Sequence, residues 1–442
     1  MRNVTIMRKS RTLRLAAALV VFVAAPARAQ MPARTVTLNE ALELSLRHSP
    51  TMVRSRQDVR VAGAQERQAF GAFLPSLTGT ANTSKSGAQR IDATTGRPVS
   101  TGIPYNDSYG LSSSLDLFTG FRRGANRASA QATTGQREAT LLRQEYATAL
   151  ATKQAFFNAL AAAELVTVAE TRLRRAREQL NLTSERLRLG ATTRSDSLAA
   201  RVEYGNAQLS VITAQNDLRN TQATLARQIG VEGVVAPVPD TALESRVQNL
   251  DTAALRREAL GGAPTVREAE ASVSAARASV RASRAAYMPT LSLSANTNWA
   301  RADTSFFGGG QFTRSWSLRL AMNYPIFNGF QRETQLVTAD ANATSAEASL
   351  RDARLQIEAQ LTQAFAALEA AAARTDIARV SVAAAEEGLR MQRERYRLGA
   401  ATNVEVLTSQ VSLDQAMVDL VRARYDYLVA RAQIEAYVGH GL

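Results

Sequence analysis

The chain has 442 residues, no Cys, only two His and a formal net charge of +14. Without Cys there can be no disulfide, thiolate metal site or lipid-modified cysteine. His48 and His440 are far apart in sequence, and the chain has no phosphate loop or nucleophile motif, so no cofactor, metal or enzymatic activity is expected. Six of the basic groups lie in the first 29 residues; the remaining Arg alternate with Glu and Asp along helices, which is a solvated face and not a nucleic-acid footprint.

In chain order, residues 1–29 read as a secretory signal peptide. Arg2, Arg8, Lys9, Arg11 and Arg14 precede the short apolar run Leu15–Ala25, and Ala27-Arg28-Ala29 fits a small-x-small cleavage site. The apolar run is too short for a membrane anchor, and no later run of 18 apolar residues follows, so an exported chain without a transmembrane helix is expected.

The rest divides into two repeats, 30–230 and 251–442, joined by a linker at 231–250. The first opens with the capping box Thr37-Leu-Asn-Glu40, breaks at Pro50 and ends a helix at Pro75. Asp251, Pro264 and Pro289 repeat this pattern, with a short amphipathic helix expected around Ala253–Leu260. Each repeat then carries two alternating segments: 76–86 and 108–118, then 290–300 and 315–324. Leu291, Leu293, Ala295 and Trp299 alternate with Ser292, Ser294, Asn296 and Asn298. Trp316, Leu318, Leu320 and Met322 likewise alternate with Ser317, Arg319 and Ala321. Period two with one apolar face predicts strands, each of a length that crosses a bilayer when tilted. Both Trp of the chain, Trp299 and Trp316, lie on the apolar faces, as interfacial anchors do. Four strands cannot close a membrane barrel, and open edges are forbidden in lipid, so any barrel must be shared between chains.

After each strand pair a long uncapped helix is predicted, from Arg122 and from Arg332, and residues 122–189 would span about 100 Å. Each long helix turns back at a matching tip. Residues 186–230 (RLRLGATTRSDSLAA…) and 395–439 (RYRLGAATNVEVLTS…) align at an offset of 209 without a gap. Gly190 and Gly399 stop the helix because Gly adopts a left-handed cap cheaply. Val404, Leu407, Val411, Val418, Val421, Tyr425 and Leu428, with Leu198, Val202, Leu209 and Ile212 in the first copy, form a seam at 3–4 spacing that predicts packing on a neighbouring helix.

The signal peptide, duplication, inserted strand pairs, long helices, twin Leu-Gly-x-x-Thr tips and the segment Tyr324–Phe330 (YPIFNGF) together resemble the TolC family of outer-membrane efflux and secretion channels. The resemblance implies a mainly α fold with a small β part: a homotrimeric α-barrel of long hairpins crossing the periplasm of a Gram-negative cell, below a shared twelve-strand β-barrel in outer-membrane lipid. It implies a passive exit duct of a tripartite efflux pump or type I secretion system, docked through its tips onto a periplasmic adaptor (membrane fusion) protein that links to an inner-membrane pump. By position, Arg188, Leu189, Gly190, Arg397, Leu398 and Gly399 match the adaptor-contact tips. Asp196, Tyr396 and Glu405 match gate and constriction positions. Ala401 and Thr408 depart from the family pattern, where a gating Arg and a second ring acid stand, and Arg194 or Asn403 could substitute. A secreted structural coiled coil without channel activity is the alternative; it accounts for the long helices but not for strand pairs inserted at the same place in both repeats.

Overall fold

The computed structural model describes residues 34–85, 87, 89–100, 105–239, 251–303, 305–306 and 308–441. The expected signal peptide and most of the linker lie outside the described residues.

The first repeat comprises β1 (Arg34–Val36), α1 (Leu38–His48), α2 (Pro50–Gly71), β2 (Ser76–Lys85), β3 (Gln89–Ile91), β4 (Pro98–Ser100), β5 (Tyr105–Phe118), α3 (Arg122–Arg188), α4 (Arg194–Ile229) and β6 (Val235–Pro237). The second comprises α5 (Thr252–Gly262), α6 (Pro264–Arg284), a 3-10 turn (Ala285–Tyr287), β7 (Thr290–Asp303), β8 (Thr313–Asn323), α7 (Gln331–Arg397) and α8 (Asn403–Val438). α3 and α7 have 67 residues each, and α4 and α8 have 36 each, so the two hairpins match in length. At 1.5 Å per residue the long helices run about 100 Å. Among the described residues, no helix is long and apolar enough to cross a membrane.

The four long strands form one antiparallel sheet in the order β2-β5-β7-β8, with β2 and β8 at its edges. Helices α2, α3, α6 and α7 continue it side by side in the same order. The register puts Tyr109, Leu111 and Leu115 of β5, Leu291, Leu293 and Trp299 of β7, and Trp316, Leu318, Leu320 and Met322 of β8 on one face. The other face carries Ser, Thr, Asn, Gly and Ala, plus Asp116 and Arg319. The strands run somewhat further than the alternation predicts. β5 begins at Tyr105, not 108, and β7 continues to Asp303, not 300. The extra residues stay in the ladder because their polar groups satisfy each other: Arg301 pairs with Asp107 at 2.9 Å, and Thr83 Oγ1 donates to the same carboxylate at 2.6 Å.

The first core sits halfway along α3, where Phe156, Phe157, Leu225, Ile229, Val36 and Val235 are buried together. Its counterpart on α7 joins Ile357, Leu361 and Phe365 to Leu255, Val266, Ile434 and Val438. Three-residue β1 pairs in parallel with β6 over the first core, a contact too short for any periodicity to reveal. α4 ends against His48 and α8 against Pro264, so in each repeat a returning helix abuts the break between two short helices.

Near the tips the chain's own packing uses positions other than the predicted seam. Ala200 and Ala207 of α4, and Asn403, Val406, Gln410 and Leu413 of α8, are the buried positions there. Leu198, Val202, Leu209, Ile212, Val404 and Val411 face outward instead. Further from the tip the seam does turn inward, at Val421 and Tyr425.

Each strand-to-helix corner uses one device twice. Phe121 and Phe330 take left-handed φ of 66° and 64°, next to Gly120 and Gly329. Two residues on, Arg123 donates to Leu117 O and Ala72 O, and Arg332 donates to Pro325 O and Ile326 O. A Cβ at Gly120, where φ is +60°, would lie 2.1 Å from Met288 Cβ. Gly120→Ala is therefore expected to destabilise the chain by about 1–3 kcal/mol. In thermal unfolding in detergent it should lower the transition temperature, while Gly124→Ala, with open space around it, should not.

Candidate functional site

The two tips share one construction. α3 ends at Arg188, and the Gly190 N–H and Ala191 N–H close onto Leu187 O and Arg186 O. α7 ends at Arg397, and Gly399 and Ala400 close onto Tyr396 O and Arg395 O. Gly190 and Gly399 have φ of 71° and 77°, the left-handed closure that the sequence predicts. This geometry thrusts Leu189 and Leu398 into solvent, 75% and 84% exposed. Arg188 and Arg397 flank them, exposed and paired only to Glu185 and Glu394 within their own helices, each at 3.0 Å. Each tip is thus an apolar point beside one solvated arginine.

Asp196 and Glu405 occupy the same place in the two repeats, the third position of the returning helix. Thr193 and Thr402 cap the two helices through Asp196 N–H and Glu405 N–H. The Asp196 carboxylate accepts from the Thr193 hydroxyl at 2.7 Å, the Thr192 hydroxyl at 2.8 Å and the Thr193 N–H at 3.2 Å. Those bonds lower its pKa, the Thr193 hydroxyl contributing most. Glu405 accepts from the Thr402 hydroxyl at 3.2 Å and is otherwise exposed. The Tyr396 ring is buried, its hydroxyl without a hydrogen-bond partner among the described residues, and the bonds of the Asp196 carboxylate stay within its own turn. The structure therefore does not join Asp196 to Tyr396 by a hydrogen bond.

Two other residues join the hairpins. Arg186 of α3 reaches across to the C-terminus of α7, donating to Tyr396 O at 2.8 Å and Arg397 O at 2.9 Å. Its guanidinium lies 4.6 Å from the Tyr396 ring centroid. It satisfies the Arg397 carbonyl at the helix end, shares the Tyr396 carbonyl with Gly399 N–H, and places a favourable charge at that end. The matching Arg395 stays on its own hairpin, donating to Ala400 O and Gln392 Oε1. Asn403, 2% exposed, accepts from Gln179 Nε2 of α3 at 2.7 Å and donates to Asp196 O of α4 at 3.2 Å. Arg194 makes no such bridge among the described residues. Ala401 packs beside Tyr396, Val406, Leu389 and Leu413, and the Thr408 hydroxyl bonds back to Val404 O within its helix. The arginine at 186 stands in the tip motif itself, but its partners come from a residue 210 positions away, so sequence reading passes over it.

Higher on the hairpins, Asp414 is buried between Arg172 and Arg175 of α3, and Arg172 also holds Glu203 of α4 at 2.7 Å. Burial raises the Asp414 pKa, and the two arginines oppose that rise. This cluster explains the one polar interruption of the seam. Beside it, Leu209, Val411 and Val418 line a groove of about 430 Å³ between α3, α4 and α8.

At the loop end of the sheet, Trp299 stacks on Tyr109 with centroids 5.6 Å apart, and Trp316 stands 75% exposed on the same face. At the helix end, exposed Tyr324, Ile326, Phe327, Phe330 and Phe121 form a second belt. The apolar face thus lies between two aromatic girdles, the distribution of a lipid-facing barrel wall.

Residues 41–231 and 255–440 match the family described as "Outer membrane efflux protein". The chain is similar to Protein CyaE of Bordetella pertussis, 28% identical over 407 residues that cover 90% of this chain and 81% of that one. It is 26% identical to the outer membrane protein TolC of Escherichia coli over 307 residues, 66% of this chain and 61% of TolC. Its fold superposes on the CmeC outer membrane channel of Campylobacter jejuni with a TM-score of 0.76 at 18% identity, covering 92% of this chain and 86% of that one. The structural coiled-coil alternative is not supported, since neither the four-stranded sheet nor these likenesses fit it.

Two outcomes follow for the tips and hairpins. Asp196 has a lowered folded-state pKa, so its cap stabilises above the ordinary carboxylate value and is lost as pH falls through the lowered one. Hydrogen-exchange protection of residues 191–199 should drop in that acid window in the wild type and be low at all pH in Asp196→Ala. Asp414→Ala leaves two arginines facing each other in a buried site and should cost about 3 kcal/mol, read as a lowered unfolding temperature.

The duplicated hairpins, the girdled sheet and the matches across both repeats agree: the chain belongs to the outer membrane efflux protein family, as an outer-membrane exit duct whose helical part extends into the periplasm.

Proposed function

We propose that three copies of the chain assemble around one axis, each contributing its four strands to a closed barrel of twelve and its two hairpins to a helical tube. The observation that carries this reading is the pair of open edges, β2 and β8, on a sheet whose one face is apolar. In lipid, unpaired N–H and C=O groups at those edges cost several kcal/mol each, and only closure onto neighbouring chains removes them. The outward apolar stripe of α4 and α8 gives the same demand in the helical part, because Leu198, Val202, Leu209, Ile212, Val404 and Val411 have no cover within the chain. The likeness to TolC supports such an assembly as one component of a tripartite pump or secretion system, with a periplasmic adaptor and an inner-membrane pump as partners.

In this reading the tips serve two roles. Leu189 and Leu398, each beside its arginine, present paired apolar points to the adaptor. Glu405, exposed at the start of α8, rings the constriction with its two symmetry mates and favours cations there. Arg186 and Asn403 hold the closed state: they tie the first hairpin to the second, and opening breaks those bonds. They do so where the family's gating arginine is replaced by Ala401.

The test is single-channel recording of detergent-purified protein in planar bilayers. Wild type should give small, stable, cation-selective openings. Arg186→Ala and Asn403→Ala should each raise the conductance or open probability several-fold, whereas Glu405→Ala should weaken cation selectivity without enlarging the opening. A protein that stays monomeric and never inserts would overturn the reading. Normal insertion with no effect of Arg186→Ala would remove the latch but keep the duct.

A further inference from the structure

At the foot of the sheet, where strands give way to helices, lies a polar cavity of about 360 Å³. It is bounded by the first turns of α3 and α7, by the 3-10 turn, and by Thr290 and Asn323. Thr290 and Asn323 are a cross-strand pair on the same face as Ser292 and Ala321, the polar face of the sheet. In the proposed barrel that face is the lumen, so the cavity opens into the duct above the helical tube.

Its lining is unusually rich in donors. Arg122 and Arg332 both line it, with Gln331, Gln335 and Asn328. The Arg122 side chain has no hydrogen-bond or ion-pair partner among the described residues. Arg332 is held by the carbonyls of Pro325 and Ile326, which leaves its Nε–H buried with no partner. Asn328 Oδ1 is likewise buried and unpaired, and its amide can equally present an N–H after a flip. The carboxylate nearest to Arg332 is Glu333, at 3.8 Å, and it is not part of the lining. Buried polar atoms without partners are costly, and a solute that supplies acceptors relieves that cost. Two guanidiniums with neighbouring amides are the donor set that recognises planar or tetrahedral oxyanions.

We infer that this cavity is a binding site for an oxyanion, the carboxylate or phosphate group of a solute inside the duct. Arg122 supplies the free charge, Arg332 a second positive charge held in place by the Pro325 and Ile326 carbonyls, and the Gln331, Gln335 and Asn328 amides the remaining hydrogen bonds. In a threefold assembly six guanidiniums would encircle the foot of the barrel, opposite in sign to the proposed Glu405 ring at the far end. A passing solute would then meet a cation-favouring entrance and an anion-retaining exit. The inference rests on the duct reading for the statement that the cavity faces the lumen, but not for the binding itself.

The probe is inorganic pyrophosphate, titrated calorimetrically into the full-length protein in detergent. Arg332 also holds its corner, so the diagnostic change is Arg122→Gln, with Arg319→Gln as control. Arg319 lies on the same face but outside the cavity. Saturable binding in wild type and Arg319→Gln, weakened about tenfold or more in Arg122→Gln and partly restored in Arg122→Lys, is the expected result. Absent binding, or equal binding in wild type and Arg122→Gln, overturns the site. Pyrophosphate in the bilayer chamber should also reduce the current of wild type more than that of Arg122→Gln. Binding without channel insertion would keep the site and sink the duct; channels indifferent to pyrophosphate in both variants would do the reverse. Association only with anionic lipid vesicles, and none with free pyrophosphate, would overturn the site and assign the arginines to lipid headgroups instead.

Discussion

A sheet that is apolar on one face and open at both edges cannot stand alone in a membrane. Its outer backbone groups at β2 and β8 have no water to bond and no strand beside them. The rest of the molecule follows from meeting that constraint. The strand order repeats in the helices that continue it, so a neighbour that pairs with the sheet edge also meets α2 or α7 below. The left-handed Phe-Arg corners at 121–123 and 330–332 keep strand and helix in line, and their exposed aromatic rings mark the boundary of the apolar zone. The outward stripe of Leu and Val on α4 and α8 continues the same unfinished surface toward the tips.

The duplication fixes the frame, and the differences between its copies carry the specialisation. Asp196 and Glu405 are equivalent in chain position and in capping role, yet the carboxylate of one is consumed by two threonine hydroxyls and that of the other by one. Arg186 and Arg395 are equivalent too, but only Arg186 crosses to the other hairpin. Asn403 stands where the first copy has Arg194, and being short and buried it bridges three helices that a long charged side chain would separate. The interior of the hairpins is thus tied by a few polar contacts in an Ala-rich environment. Such contacts are directional, so they specify how the helices register more than how strongly they adhere.

Much of this was legible in the chain itself. Two-residue alternation gave the strands, the absence of Pro gave the long helices, and the Gly at 190 and 399 gave the turns, because each follows from local backbone geometry. The capping threonine at 37 was legible for the same reason. Local signals did not reach the β1–β6 pair, which is three residues long and joins segments 200 positions apart. Nor did they reach the Arg123 and Arg332 clamps, whose partners are carbonyls and leave no trace in side-chain pattern. Near the tips the predicted stripe is exposed within the chain, since a 3–4 repeat defines a stripe but not the neighbour that the stripe faces.

By itself, then, the sequence determined the order of the long elements, the duplication, the apolar face of the sheet and the form of the tips. These rest on backbone preferences and periodicity that act within a few residues. Only the tertiary structure decided that Arg186 and Asn403 join the hairpins, that Asp414 lies between two arginines, and that Arg122 and Arg332 converge on one cavity. Each of these depends on the rotation of one helix about its axis relative to another. That angle is set by the turns and by close packing of small side chains, and no local pattern encodes it.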